Sequence, residues 1–230
     1  MTASTRRDES RGKSKARAGT AARREAVLEA AMNVFGERGY NKAALTEVAE
    51  RAGMTHAGVL HHFGSKERLL VAVLQYRDGD EVDGIAAREQ VEGPAFVGHI
   101  LDTVAANTER RGVVQAYAVL SAESVTEGHP AQEYFRGRIA GLREKLMRVL
   151  REFARDDVSD DELLRAANSL IAVMDGLQVQ WLLDPDAVDM PATVAMVMNE
   201  IVDRLASGTP APDARERADA LLETAADPDA

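Results

Sequence analysis

Apolar residues recur at intervals of three and four along most of the chain, which is the spacing of amphipathic α-helices. The first clear stripe lies within a helix predicted over 20–38 and consists of Val27, Ala30, Ala31, Val34 and Phe35. Gly39 follows as a predicted helix end, because glycine readily adopts the left-handed conformation that terminates helices. No alternation of apolar and polar residues predicts a strand.

Two short helices are predicted next, over 44–52 and 55–62. Gly53 separates them, and Thr55 has the side chain of a helix N-cap. Two short helices around a turn that contains glycine indicate a helix-turn-helix motif, here over about 43–62.

The remainder of the chain is predicted as a larger helical bundle. A helix begins near Ser65, and Gly, Pro and Asp residues separate the helices that follow. Their predicted ranges are 94–108, 112–126, 130–155, 160–183 and 191–206. Pro130 and Pro191 fall at helix starts, where the first turn tolerates proline. The predicted fold is all-α, with a three-helix head and a helical-bundle body.

Composition divides the chain further. Residues 1–19 are predicted as a disordered arm, and their cations are Arg6, Arg7, Arg11, Lys13, Lys15 and Arg17. Such an arm either follows nucleic-acid phosphates or serves only solubility. The head is expected over 20–66, the body over 67–208, and an acidic tail over 209–230.

The net charge of the chain is −10, but the charges are distributed unevenly along it. Residues 1–66 hold 12 Lys and Arg against 7 Asp and Glu, a balance of +5. The remaining residues hold 16 against 31, a balance of −15. A basic end on an acidic body is typical of a polyanion-binding head on a soluble platform, which suggests nucleic acid as a partner.

Cysteine is absent, which excludes disulfides, thiolate metal ligands and a cysteine nucleophile. No stretch approaches the roughly 18 apolar residues of a membrane span, and residues 1–20 lack the apolar run of a secretory signal. We therefore expect a cytoplasmic protein without a membrane partner.

Three groups of residues in 20–74 share one spacing pattern. They are Ala30-Ala31, Phe35 and Gly39-Tyr40 in the first helix, the run Val48–Met54, and the run Thr55–Lys66 with Leu69-Leu70 after it. In this pattern the segment resembles the TetR family of bacterial transcription regulators, and the ending His62-Phe63-Gly64-Ser65-Lys66 is its most specific part. Met174–Gln178 and Gln180–Leu182 also look like the penultimate helix of such proteins.

The resemblance implies that the helix after Gly53 enters the major groove of DNA, with its first residues at the base edges. The residues expected to face DNA are Thr46, Thr55, His56, Ala57, Gly58, His61, His62 and Lys66. His56 is the candidate for a base-edge hydrogen bond, and Lys66 is placed for a phosphate at a helix start. Two positions depart from the family: Leu60 stands where Tyr is common, and Ala44 where Thr or Ser is common. Each departure removes a side-chain hydroxyl that could contact the DNA backbone.

Other kinds of site are weakly supported. His56, His61 and His62 do not share one helix face, so no metal site is expected. The acidic residues in 78–89 depart from the calcium-loop spacing at Val82. No phosphate loop, nucleophile elbow or zinc-protease motif occurs, and no cofactor is expected.

Asp175 interrupts the apolar run 170–183, so burial would require a partner within the body, in a second copy or in a ligand. The candidates for an effector pocket are Phe96, His99, Tyr117, Tyr134, Met174, Asp175, Gln178 and Trp181. The last two long helices carry more apolar surface than one core requires, which suggests a homodimer. The interface candidates are Leu170, Val173, Leu177, Val194, Val197 and Ile201.

The resemblance thus implies a regulator that binds a palindromic operator, most simply a repressor released by a small-molecule effector. Two alternatives remain from the residues alone. One is a helical enzyme, although no paired nucleophile and base is visible. The other is a ligand-binding or scaffold protein whose basic arm serves only solubility.

Overall fold

A computed structural model describes residues 3–78 and 91–208, together with Arg215 and Ala218, and over 3–18 it describes the backbone only. Its described part contains nine α-helices and no strand. In chain order they are α1 (Ala3–Lys42), α2 (Leu45–Arg51), α3 (His56–Phe63), α4 (Lys66–Asp78), α5 (Ala95–Thr108), α6 (Arg111–Glu123), α7 (Gln132–Phe153), α8 (Asp160–Leu183) and α9 (Met190–Ser207). The predicted all-α class is confirmed.

The head forms where α1 packs on the three short helices that follow it. The predicted stripe of α1 is buried, with Val27, Val34 and Phe35 fully enclosed. Gly39 has φ 71° and ψ 166°, a conformation that only glycine adopts without strain, so helical geometry breaks at the predicted position.

Side-chain caps fix the helix starts that matter most for the site. The hydroxyls of Thr55 and Ser65 accept hydrogen bonds from the backbone N–H groups of Gly58 and Arg68, at 3.1 and 3.2 Å. Ser159 and Glu162 form a reciprocal capping box at the start of α8. These caps explain why the starts of α3, α4 and α8 agree with the sequence prediction to within one residue.

Two apolar cores hold the chain together. The first contains the buried residues of α1–α4 and continues into Ala116, Tyr117 and Leu120 of α6 and Phe135 of α7. The second lies among α5–α9. Nearly all of α4 falls within the body expected over 67–208, yet α4 buries Leu69, Leu70, Val73 and Leu74 in the first core. The head expected over 20–66 therefore shares its core with the body.

Several expectations differ from the structure or fall outside it. The backbone is helical from Ala3, where a disordered arm was predicted over 1–19; the segment is rich in Ala, Arg and Lys and has no proline to interrupt a helix. Pro130 lies two residues before α7, whereas Pro191 occupies the first turn of α9. The acidic stretch after Asp78 and nearly all of the tail predicted over 209–230 lie outside the described residues. Across the described ranges, no helix is long and apolar enough to cross a membrane.

Candidate nucleic-acid interface and internal cavity

The segment from α2 to α3 forms a tight helix-turn-helix. Gly53 has φ 64°, and the N–H of Met54 donates to the carbonyl of Ala49 at 2.8 Å, which turns the chain between the helices. Val59 and Phe63 are buried and hold one face of α3 against the head core. The opposite face of α3 is therefore left outward.

The first residues of α3 lie on that outward face. His56 and Ala57 are exposed, and Thr55 caps the helix while its own hydroxyl proton stays available for donation. A Cβ added at Gly58 would lie 3.1 Å from the Met54 methyl and 3.2 Å from the Thr55 hydroxyl oxygen. Glycine at this position thus leaves room for the cap and for close approach to a partner.

The remaining predicted contact residues surround this helix start. Thr46 on α2 and His61 on α3 are exposed. His62 is half-buried, and its ring packs between those of His61 and Phe63, with centroids 5.9 and 6.4 Å away. His62 consequently offers less of its ring to a partner than His61 does.

Lys66 begins α4 and is partly tied to the protein. Its ammonium lies 4.6 Å from the centroid of the Tyr40 ring and 3.5 Å from the carbonyl oxygen of Asn41. Burial lowers the pKa of Lys66, and the charges of Glu67 and Glu123 act in the opposite direction. The cation is therefore held in place beside the N-terminus of α4, an arrangement that suits a phosphate.

Other charges in the head are used internally. Arg51 makes two 2.7 Å hydrogen bonds to the carboxylate of Glu37, which tie α2 to α1, and one of 2.6 Å to Glu47 on α2 itself. The hydrogen bond from Arg51 is the main reason that the pKa of Glu37 is lowered. Ala44 provides no side-chain cap to α2, as its side chain predicts. Buried Val48 and Ala49 and the ion pair of Arg51 with Glu37 thus hold α2 on the head, without a side-chain cap.

A polar link that the sequence did not predict joins the head to the body. The backbone N–H of Tyr40, in the chain turned by Gly39, donates to the Glu123 carboxylate at 2.7 Å. The ring of His129 packs edge-on against Tyr40, with centroids 5.2 Å apart, and its Nε2 lies 3.9 Å from the same carboxylate. Nearby, the Gln115 amide donates to the carbonyl of Gly36 at 3.2 Å. These contacts set where the head sits on α6.

A cavity of about 520 Å³ lies in the body, lined by residues of α4–α9. Six of the eight pocket candidates line it: Phe96, His99, Tyr117, Met174, Asp175 and Gln178. The other two do not. The Tyr134 hydroxyl donates to the carbonyl of Leu74 at 3.0 Å, and Trp181 is buried in the second core. Their helical spacing reflected core packing, which is the commoner reason for an aromatic stripe.

The cavity also contains charged residues that the sequence analysis did not identify. Arg77 and Arg138 approach the Tyr117 ring, with guanidinium carbons 3.9 and 5.4 Å from its centroid. Burial raises the pKa of Asp175, against the charges of Arg138 and Arg77 and a hydrogen bond from Tyr117. Cations on helices are usually solvated, so sequence spacing gave no signal that these would turn inward.

The interface candidates divide into two groups. Leu170, Leu177 and Val194 are buried within the protomer, and the last two also line the cavity, so they cannot present a surface to a second copy. Val173, Val197 and Ile201 are only half-buried. The large apolar residues exposed on these helices are instead Leu164, Val179, Leu183 and Met196. The spacing predicted the apolar stripes of these helices but did not show which stripe packs in the core of the protomer.

Comparison with known proteins accounts for both parts of the chain. Residues 27–73 match the family described as bacterial regulatory proteins, tetR family, and residues 96–207 match the C-terminal region described as BetI-type transcriptional repressor. The chain belongs to the TetR family. Its members are transcription regulators, so this TetR-family chain is a DNA-binding regulator and not an enzyme. The predicted family and regulatory function are confirmed.

Relatives of this TetR-family protein align with most of its length. The HTH-type transcriptional regulator BetI of Rhizobium meliloti is 29% identical over 178 residues, covering 76% of this chain and 85% of BetI. The HTH-type transcriptional regulator TtgR of Pseudomonas putida is 27% identical over 195 residues, covering 79% of this chain and 90% of TtgR.

Solved structures support the same fold. A transcriptional regulator from Rhodococcus sp. Rha1 superimposes with a TM-score of 0.63 at 23% identity, over 81% of this chain and 99% of that one. The fatty acid degradation regulator FadR from Bacillus halodurans gives 0.62 at 19% identity, over 77% and 97%.

Proposed function

We propose that this regulator is a homodimeric repressor that binds a palindromic operator and leaves it when a small molecule fills the cavity. The observation that carries the proposal is the position of α4. Its first residue, Lys66, follows closely on the end of α3, and Arg77, near its other end, lines the cavity. A ligand that displaces Arg77 therefore acts on the helix that supports the DNA-reading surface.

The proposed DNA surface combines base-edge and backbone contacts. It comprises Thr46, Thr55, His56, Ala57, Gly58, His61, His62 and Lys66. His56 is exposed at the start of α3 and has ring nitrogens for a base edge, while the Thr55 hydroxyl and the Lys66 ammonium suit phosphates. The cations of the arm over 1–19 add phosphate contacts in this proposal.

The first experiment is a fluorescence anisotropy titration of the full chain with duplex DNA from upstream of its own gene. Specific binding should exceed binding to scrambled duplex by roughly a thousandfold or more. Equal binding to both duplexes would refute operator recognition, whatever the cavity binds.

The dimer is proposed to form through the exposed apolar faces of α8 and α9. On α8, Leu164, Ala172, Gly176, Val179 and Leu183 recur at intervals of three, four or eight, so they share one face. Val179 is 48% exposed and Leu183 82% exposed, and Met196 on α9 is 59% exposed. A symmetric contact between two copies would remove these residues from water, and the small residues in this face permit close helix approach.

We expect a dimer mass by light scattering at micromolar concentration. Val179→Glu should shift the mass towards the monomer, because dimerisation would bury an unpaired carboxylate. Val125→Glu is the matched control, since Val125 is 81% exposed and lies beyond the end of α6, outside the apolar face proposed for the dimer. A wild-type monomer that still binds a palindrome tightly, or equal behaviour of the two variants, would refute this interface.

A further inference from the structure

Tyr40, near the end of α1, supports the ammonium group of Lys66 on its ring. The Nζ atom of Lys66 lies 4.6 Å from the ring centroid and 3.5 Å from the carbonyl oxygen of Asn41, the residue after Tyr40. Lys66 is the first residue of α4 and binds phosphate in the proposed DNA surface. Two consecutive residues of α1 therefore contact the cation that is expected to meet the DNA backbone.

The body of the protein fixes the chain around Tyr40. Gly39 has φ 71°, and a Cβ added there would overlap the Glu123 carboxylate. Glycine thus allows Glu123 to approach and accept the Tyr40 N–H at 2.7 Å. The ring of His129 packs edge-on against that of Tyr40, with centroids 5.2 Å apart. Since Glu123 ends α6 and His129 lies in the turn after it, both the backbone and the ring of Tyr40 are held from outside the head.

The hydroxyl of Tyr40 is anchored as well. It donates to a carboxylate oxygen of Glu67, on α4, at 3.2 Å. Burial, and after it the charge of Glu67, raises the pKa of Tyr40 to about 12, so the hydroxyl remains a donor at neutral pH. Tyr40 is buried, and its ring also packs on that of Phe35, with centroids 5.9 Å apart. A ring held by this many contacts is a rigid support for Lys66.

A rigid support matters because a lysine side chain is flexible. Immobilising a long side chain when a partner binds costs free energy, and this cost lowers the affinity. An ammonium group that already rests on Tyr40 in the free protein has lost much of its freedom before DNA binds. The group has three N–H donors, of which Asn41 accepts one, so donors remain for a phosphate oxygen.

From these contacts we infer that Tyr40 is a positioning residue for DNA binding: its ring holds the Lys66 ammonium in the place where a phosphate of the duplex meets it. The inference rests on the proposed DNA surface, in which Lys66 binds phosphate. Tyr40 acts through Lys66 and, being buried, is not expected to touch DNA itself.

The test is a double-mutant cycle on DNA affinity, measured by fluorescence anisotropy with the full chain. Tyr40→Leu and Lys66→Ala are made singly and together, and the four proteins are titrated with the same operator duplex. The loss of affinity caused by Tyr40→Leu should be about 2- to 10-fold larger when Lys66 is present than in the Lys66→Ala background, as expected for the immobilisation of one long side chain. Because phosphate contacts carry no sequence information, the same difference should appear with scrambled duplex.

Two further variants separate the ring of Tyr40 from its other contacts. Tyr40→Phe keeps the ring and loses only the hydroxyl, so it should preserve the part of the affinity that depends on Lys66. Tyr76→Leu is the matched control, because the Tyr76 hydroxyl also donates to a glutamate, Glu25, at 3.2 Å, but Tyr76 lies ten residues after Lys66 on α4. Its effect should be the same with and without Lys66. Thermal unfolding checks that each variant folds.

A measurement on the wild type keeps the inference testable if Tyr40→Leu does not fold. The lysine ε-carbons are labelled with carbon-13 and observed by NMR, and Lys66→Arg assigns the signal of Lys66. The ring current of Tyr40 should shift the ε-methylene protons of Lys66 upfield in the free protein, and the shift should persist in the complex with duplex. If the signal moves on binding to the position of a solvent-exposed lysine, the ammonium leaves the ring to reach phosphate and the inference is overturned.

Equal losses from Tyr40→Leu in the two backgrounds would overturn the positioning role and leave Tyr40 as a residue of the head core only. An unchanged affinity of Lys66→Ala for every duplex would also overturn it, because there would be no phosphate contact to position. Failure of the proposed operator recognition has a different signature. The wild type would then bind operator and scrambled duplex equally, while the cycle on either duplex would still give the difference that depends on Lys66.

Discussion

The link between Glu123 and Tyr40 allows a quantitative test of how the head is held on the body. Glu123→Ala removes the acceptor of the Tyr40 N–H, a 2.7 Å charge-assisted hydrogen bond at a tyrosine that is 7% exposed. Ala131 N–H donates to Nδ1 of His129, so in the neutral ring Nε2 carries the proton that faces Glu123. The substitution therefore affects two polar groups in one buried region.

The expected magnitude follows from the chemistry of the hydrogen bond that is removed. A hydrogen bond to a charged group contributes about 1.5–3 kcal/mol, and leaving a buried donor unpaired costs a similar amount. We expect Glu123→Ala to lower the free energy of unfolding by about 2 kcal/mol. For a chain of this size that corresponds to a fall in Tm of roughly 4–8 °C.

The assay is urea unfolding followed by the fluorescence of the single tryptophan, Trp181, and by circular dichroism. Glu127→Ala is the matched control, because Glu127 is exposed four residues further along. Operator affinity should fall as well, since the head loses one of its attachments to α6. Equal stability of the two variants would show that the link contributes nothing and would refute this account of head placement.

Three further predictions concern the DNA surface and the cavity. His56→Ala should cost about 1–3 kcal/mol of operator affinity and relax the preference at one base pair per half-site; an equal loss on scrambled duplex would make His56 a backbone contact instead. Lys66→Ala should weaken binding to all duplexes alike and reduce the slope of log affinity against log salt by about 0.9 for each phosphate that Lys66 neutralises; an unchanged slope would mean that Lys66 does not bind phosphate. Asp175→Asn should stabilise the ligand-free protein increasingly as the pH rises above the ordinary carboxyl pKa of 3.8, because a folded-state pKa that is raised means that wild-type stability is lost as the carboxylate ionises. Chemical unfolding of the variant and the wild type at several pH values checks this. A difference in the free energy of unfolding that becomes smaller as the pH rises would contradict it.

The fold was largely predictable because local signals determine it. The caps at Thr55, Ser65 and Ser159 and the turn at Gly53 fix helix boundaries through short-range geometry that is visible in the sequence. The outward positions of His56 and His61 follow from the burial of Val59 and Phe63 on the opposite face of the same helix.

The interior was less predictable because it depends on which helices meet. Apolar spacing placed Leu177 and Val194 on a stripe, but periodicity cannot distinguish a stripe that faces the core from one that faces a second copy. For the same reason, Trp181 and Tyr134 looked like pocket residues, whereas the charged wall formed by Arg77 and Arg138 could not be seen. The bond between Glu123 and Tyr40 spans 83 residues and has no local signature.

The continuity of the first core limits how this protein can be recombined with its relatives. In a chimera joined at residue 66, a foreign head would have to pack on Leu69, Leu70, Val73 and Leu74 of α4 and on Leu120 of α6. In the native protein all of these residues pack in one core with α1. Close-packed interiors tolerate such mismatches poorly. A hybrid regulator that joins this body to another DNA specificity should therefore exchange only the exposed residues of α2 and α3 and retain α1 and α4 intact.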